Sequence, residues 1–123
     1  MTDITLKMNE GYFIYRVGAI IISNGNLLAI KNEKFPYYYS IGGKVQFSET
    51  SEAAVLREAY EEASVNFEID RLAFVHENFC SVDFLDNLLT PLHEIALYYL
   101  MKPSRDAENV KCVSLGADGG KDI

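Results

Sequence analysis

Residues 42–62, GGKVQFSETSEAAVLREAYEE, contain the change of pattern around which the rest of the chain is organised. Gly42-Gly43 reads as the stop of a strand and a sharp backbone turn. From Thr50 to Ala63 the period becomes helical: Leu56, Ala59, Tyr60 and Ala63 recur at i, i+3, i+4 and i+7 as one apolar stripe. Thr50 suits the N-cap, Glu52 lies in the first turn where the helix dipole favours an anion, and no Gly or Pro interrupts the run. At about 100° per residue, Glu58, Glu61 and Glu62 share a face roughly opposite the stripe, so three carboxylates converge.

Like charges at i and i+4 cost a helix about 0.2–0.5 kcal/mol per pair, so Glu58 with Glu62 calls for a cation between them, and Arg57 is the arginine within the helix. Two readings of the face follow. One is a solvated acidic surface. The other is a cation site, because Glu49 lies close to the helix start and a carbonyl is freed at the glycine turn. Carboxylates plus a carbonyl form the all-oxygen ligand set that Mg²⁺ or Mn²⁺ prefers.

Upstream, Tyr12 to Ile22 (YFIYRVGAIII) is rich in β-branched and aromatic residues, Ser23-Asn24-Gly25-Asn26 carries the Asn-Gly pair of a tight hairpin, and Leu27 to Lys31 returns as a second strand. A charged loop at residues 32–36 leads to a third short strand, Tyr37 to Ile41. Downstream come three strand-like segments, Val65 to Asp70, Leu72 to Phe79 and Leu92 to Met101, the last two separated by a polar loop containing Pro91. From Lys102 onward the chain is polar and Gly-rich and reads as an irregular tail. The predicted order is strands, helix, strands.

The chain has 123 residues, 49% of them hydrophobic and 24% charged, which suits one domain (1–123) with a real core and sets disorder and low complexity aside. A net charge of −7 argues against long nucleic acids and anionic membranes as partners. Residues 49–62 hold five glutamates and one arginine, and so carry −4 of the −7. The acidity is concentrated in one element, which leaves room for a phosphate-rich small molecule if a divalent cation mediates the contact. Cys80 and Cys112 form no C-x-x-C pair, so neither a zinc site nor a disulfide framework is indicated. With no signal-peptide pattern at the start and no apolar run long enough to span a bilayer, the expected location is the cytoplasm.

Read as G-x5-E-x7-R-E-x-x-E-E, the residues Gly43, Glu49, Arg57, Glu58, Glu61 and Glu62 resemble the signature of the Nudix hydrolases, the MutT-type pyrophosphohydrolases. The segment YRVGAIIISNGNLLAIKNEKFPYYYSIGG resembles the strands that precede that signature, and the likeness covers roughly residues 12 to 101. It implies an α/β fold: an α/β/α sandwich with a mixed central sheet and the signature helix after a Gly-Gly loop. It also implies metal-dependent hydrolysis of a nucleoside diphosphate linked to another group. Glu58 and Glu62 would then be the leading metal ligands, Glu61 would share the coordination, and the Gly43 carbonyl would add an oxygen. Arg57 would pair with Glu49 and hold the loop against the helix. In this family the general base is sometimes a signature glutamate and sometimes a later carboxylate, for which Glu94 and Glu77 are the candidates.

Two positions depart from the pattern. Ser64-Val65 stands where a glycine and an aliphatic residue usually end the signature, and Ile41 replaces the proline that commonly precedes the double glycine. A strand and C-terminal helix that ordinarily follow are not legible after Lys102. Substrate identity is poorly encoded. The proline of the ADP-ribose hydrolases is absent at Cys80-Ser81, and coenzyme A and NADH signatures do not appear. Among Phe35, Tyr37, Tyr38 and Tyr39, Tyr39 is the candidate base-stacking residue, set against a core role. Arg16, Lys31 and Lys44 are candidate phosphate contacts, set against solvated surface. A homodimer is compatible with strand-rich edges and with the family's habit. The competing function is a catalytically weak nucleotide-binding or sensing module. A P-loop or Rossmann binder is excluded, since Gly43-Lys44 is not followed by Ser or Thr and no G-x-G-x-x-G occurs.

Overall fold

The computed structural model describes residues 2–31, 38–83 and 89–109. Eight strands and one α-helix are present among them: β1 Thr5–Lys7, β2 Tyr12–Ile20, β3 Ile22–Ser23, β4 Asn26–Leu27, β5 Ala29–Lys31, β6 Tyr38–Lys44, α1 Ser51–Ala63, β7 Ile69–Asp83 and β8 Leu89–Met101. The main sheet runs β5-β6-β2-β8-β7, with β1 also paired to β2. It is mixed, because β2 and β8 are parallel whereas β2 pairs antiparallel with β6 and β8 with β7.

The Asn-Gly turn forms as its residues dictate: Asn24 (φ 52°) and Gly25 (φ 79°) both take the left-handed conformation between β3 and β4. The helix also begins as expected. Thr50 is extended, and its side-chain oxygen accepts the Ala53 N–H at 3.1 Å. At the other end Ser64 takes the left-handed position (φ 56°, ψ 30°), and its N–H bonds the Tyr60 carbonyl at 2.8 Å. A non-glycine residue there costs on the order of 1 kcal/mol. Ser64→Gly is therefore expected to stabilise the fold by about 0.5–1 kcal/mol and raise Tm by a few degrees in a thermal melt. An unchanged or lowered Tm would show that the serine is not strained.

Several sequence expectations shift. The buried face of α1 is Ala54, Val55, Ala59 and Ala63, while Tyr60 is 51% exposed, so the apolar stripe lies about one residue around from its expected position. Gly42-Gly43 is not a turn: β6 runs through both residues, and the turn comes later, at Gln46–Glu49, where Ser48 has φ 67°. Residues 64–68 are not a strand, although Val65 and Phe67 are buried as the chain returns to the sheet. One long strand, β7, takes in Ile69, Asp70 and the expected Leu72–Phe79 segment, with register shifts between Ile69 and Arg71 and between Leu72 and Phe74. Pro91 lies inside β8 opposite Ser81, not in a loop. The loop at 32–36, with Phe35, and also Tyr37, Cys112 and residues 110–123, where the resemblance would place a C-terminal helix, lie outside the described residues.

The core forms where α1 lies on β6 and β2. Val17, Ala19 and Ile21 meet Ile41, Val45, Val55 and Ala59, and Tyr99, Met101 and Ala107 extend it. Ala107 belongs to a 3₁₀ turn, Arg105–Asn109. Ser51 at the start of the helix is tied to the sheet by a 2.6 Å hydrogen bond to the Tyr99 hydroxyl. This packing fixes the height of α1 above β6, and thus the place of its glutamates.

Candidate functional site

The two glycines earn their place by proximity. Gly43 pairs with Val17 on the helix-covered side, and a Cβ on it would occupy the same space as the Glu58 carboxylate. A Cβ on Gly42 would collide with the Val17 carbonyl. Glu62 reaches the same strand one residue earlier, its Oε1 accepting the Gly42 N–H at 3.3 Å. The i, i+4 pair thus lies against bare backbone, at the border of the buried helix face and not opposite it.

Arg57 binds the surrounding parts together. Its Nε and Nη2 donate to the two oxygens of Glu49 at 2.8 and 2.9 Å, a bidentate clasp. Nη2 also donates to the Lys44 carbonyl at 3.2 Å, and Nη1 to Glu58 Oε1 at 2.8 Å. Glu49 is itself seated in the turn, accepting the Gln46 N–H at 3.0 Å. The pairing of Arg57 with Glu49 that the resemblance implied is therefore present as a contact.

These contacts set opposite electrostatic tendencies. The hydrogen bonds from Arg57, outweighing partial burial and joined by the Gln46 N–H, hold Glu49 below the ordinary carboxylate range. Arg57 is held well above its already high ordinary value, first by the Glu49 bond and then by Glu58. Burial pushes Glu58 upward despite the Arg57 bond, and Glu61 and Asp3 add to the push. Asp3 is a contributor that the sequence did not reveal. It arrives through an isolated bridge to Gln46, from an N-terminal segment too short to show a period.

The three glutamates of the helix do not converge equally. Glu61 is half exposed and approaches Arg57 Nη1 at 3.5 Å, and among the described residues no three acidic, histidine or cysteine side chains gather at metal-binding distance. Glu58 and Glu62 instead each reach the glycine strand, Glu58 against Gly43 and Glu62 at the Gly42 N–H. Two carboxylates are the number that proteins commonly commit to a hard divalent cation whose other positions go to water and substrate phosphate.

The other candidates are divided between two sheet faces. The register pairs Arg16 with Lys44 and Ala96, and Ile14 with Glu94, which places Arg16, Lys44 and Glu94 together on the face away from α1. Arg16 and Glu94 meet there at 3.7 Å. Tyr39 instead packs against the core on the helix side, in keeping with the core reading of it. Glu77 pairs with Ile95, two residues along β8 from the Leu97 that faces Val17, and so shares the helix-side face, exposed on the edge strand β7. Lys31 lies on β5 with its ammonium 5.9 Å from the Tyr38 ring centroid.

Comparison with known proteins identifies the family and the fold. The NUDIX domain profile matches residues 13–118. A MutT-like protein from Streptomyces ambofaciens is 30% identical over 97 residues, which are 79% of this chain and 56% of that protein, so the chain spans little more than half of that relative's length. The crystal structure of MutT NUDIX hydrolase from Burkholderia pseudomallei superposes with a TM-score of 0.57 at 25% identity, over 87% of this chain and 92% of that one. The crystal structure of MutT protein from Methanosarcina mazei Go1 gives 0.55 at 20% identity over 79% and 72%, a likeness of fold. With the profile covering most of the chain and the signature residues assembled around one helix, this chain belongs to the NUDIX domain family.

Proposed function

We propose that the chain is a metal-dependent pyrophosphohydrolase acting on a nucleoside diphosphate linked to another group, such as a nucleoside triphosphate or a nucleotide sugar. The observation that carries this reading is the seating of Glu58 and Glu62 against the Gly42–Gly43 backbone, with Arg57 locking the Glu49 turn to the same helix. A diphosphate repels water as a nucleophile through its own charge, and a helix face of glutamates alone would repel the diphosphate in turn. Glu58 and Glu62, with the Gly43 carbonyl and Glu61 in support, are the residues that would hold Mg²⁺ or Mn²⁺. Such an ion offsets phosphate charge and lowers the pKa of water.

The protein's own part is positioning. Arg57 fixes Glu49 and Glu58 relative to the strand, while burial raises the cost of ionised Glu58, a cost that a bound cation would offset. Glu77, on the helix-side face, is the better placed of the two later carboxylates to approach a substrate there; Glu94 is on the far face, engaged with Arg16. The partners this reading implies are small nucleotides, not long nucleic acids or membranes. No described helix is long and apolar enough to cross a membrane.

A panel of nucleoside triphosphates, nucleotide sugars, ADP-ribose and dinucleoside polyphosphates with Mg²⁺ or Mn²⁺ tests the proposal. At least one member is expected to be cleaved, and cleavage is expected to vanish with chelator and in Glu62→Gln. Turnover surviving both would sink the mechanism, and tight binding without turnover would favour the sensing module.

A further inference from the structure

The face of α1 that lies on the sheet is smooth. Its buried residues are Ala54, Val55, Ala59 and Ala63, and side chains this short form shallow ridges that do little to stop a helix from rotating about its own axis. Glu58 and Glu62 nevertheless meet particular points of β6, the one against Gly43 and the other at the Gly42 N–H. A directional contact is needed to set that rotation, and a hydrogen bond at the other end of the helix has the right place for it.

Ser51, the first residue of α1, bonds the Tyr99 hydroxyl at 2.6 Å. At about 100° per residue, Glu58 at i+7 and Glu62 at i+11 fall within about 20° of Ser51 around the axis, and at about 1.5 Å per residue they lie about 10 and 16 Å along it. The three side chains thus form one line on the underside of the helix. Different strands hold its two ends. Tyr99, which is 6% exposed, belongs to β8, whereas Gly42 and Gly43 belong to β6, and β2 runs between them. Tyr99 pairs with Ala19 and Ala19 with Ile41, so the hydroxyl pair stands over the row two residues from Gly43. Anchors on either side of β2 fix both the rotation of α1 and the direction in which it crosses the sheet.

We infer that Ser51 and Tyr99 are positioning residues for the metal site: their hydrogen bond sets the rotation of α1 that places the carboxylates of Glu58 and Glu62 at Gly43 and Gly42. They act through the helix, from its opposite end. The inference rests on the hydrolase reading for what the two glutamates do, but their placement can be measured without substrate.

Tyr99→Phe and Ser51→Ala each remove one hydroxyl, and alanine is the better helix former, so the second does not weaken α1 itself. In the metal-free protein, the Gly42 amide NMR signal, which reports the Glu62 contact, is expected to shift in both variants. The Mn²⁺ dissociation constant, followed by EPR without substrate, is expected to rise about tenfold in each, and no further in the double variant, as for two groups that share one contact. Ser51→Thr keeps the hydroxyl and is expected to bind Mn²⁺ as wild type does. Ser64→Gly added to Tyr99→Phe separates placement from stability: it is expected to raise Tm and leave the Mn²⁺ affinity low. An unmoved Gly42 signal, wild-type Mn²⁺ affinity in both single variants, or affinity fully restored by Ser64→Gly would each overturn the assignment. Mn²⁺ affinity that falls as expected in a protein that cleaves no member of the panel would instead overturn the hydrolase reading and leave the positioning role intact. Hydrolysis by wild type with Mn²⁺ affinity unmoved in the variants would do the reverse.

Discussion

Arg57→Lys is expected to lower kcat about 10–100-fold, the range for a group that orients metal ligands without binding metal itself. A lysine keeps the charge but not the fork. It cannot bridge both oxygens of Glu49 and at the same time donate to Glu58 and the Lys44 carbonyl, as the guanidinium does. Stability should fall by about 1–3 kcal/mol, because Glu49 and Glu58 are left partly desolvated with fewer donors. The loss should depend on pH with a defined sign. Glu49 is held below its ordinary value of 4.5, so its contribution is present above that value and disappears as pH falls through the lower, folded value. Melts of wild type and Arg57→Lys should therefore converge in acid and separate as pH rises through the ordinary carboxylate range. Equal activity, or a stability gap that widens in acid, would contradict this role.

Glu58→Gln is expected to lower kcat by about 10²–10⁴, the loss seen when a group acting directly on the reacting centre is removed. It is not expected to destabilise the metal-free protein at neutral pH. Burial holds Glu58 above its ordinary value of 4.5, so its favourable contribution is present below that value and is lost as pH rises through the raised one. At pH 7 the ionised side chain is a cost to the fold, and glutamine removes the charge while keeping an oxygen for Arg57 Nη1. Tm of the variant should match or exceed wild type at pH 7, with the advantage vanishing below about pH 4.5. A residue that lowers stability where it stands and is needed for turnover is the mark of a functional group, in contrast to a solvated acidic surface. A variant that melts lower at pH 7 yet hydrolyses normally would reverse the assignment.

The helix caps were legible from the residues themselves, and Thr50 and Ser64 behave accordingly. The Arg57–Glu49 contact came from the family resemblance and is present within the same local unit. Gly42-Gly43 misleads because paired glycines are turn residues by propensity, whereas their need here comes from distant partners, the Val17 carbonyl and the Glu58 carboxylate. Tyr60 counts as apolar in a periodicity, yet its position on α1 faces solvent, and the alanine and valine at 54 and 55 take up the packing. Asp70 and Arg71 look like a strand boundary in the sequence, yet β7 runs through them. Both are exposed on an edge strand where charge is tolerated and register shifts occur. The faces of Arg16, Lys44 and Glu94 follow from inter-strand register, which no single strand encodes.

The most direct measurement is a Mn²⁺ titration followed by paramagnetic broadening of the amide signals. Gly42, Gly43, Glu58 and Glu62 are expected to broaden first, Asp70 and Arg71 on the edge strand β7 to stay sharp, and the selective broadening to disappear in Glu62→Gln. Broadening that centres elsewhere, or that persists unchanged in Glu62→Gln, would contradict the claim that these two glutamates and the glycine strand form the metal site.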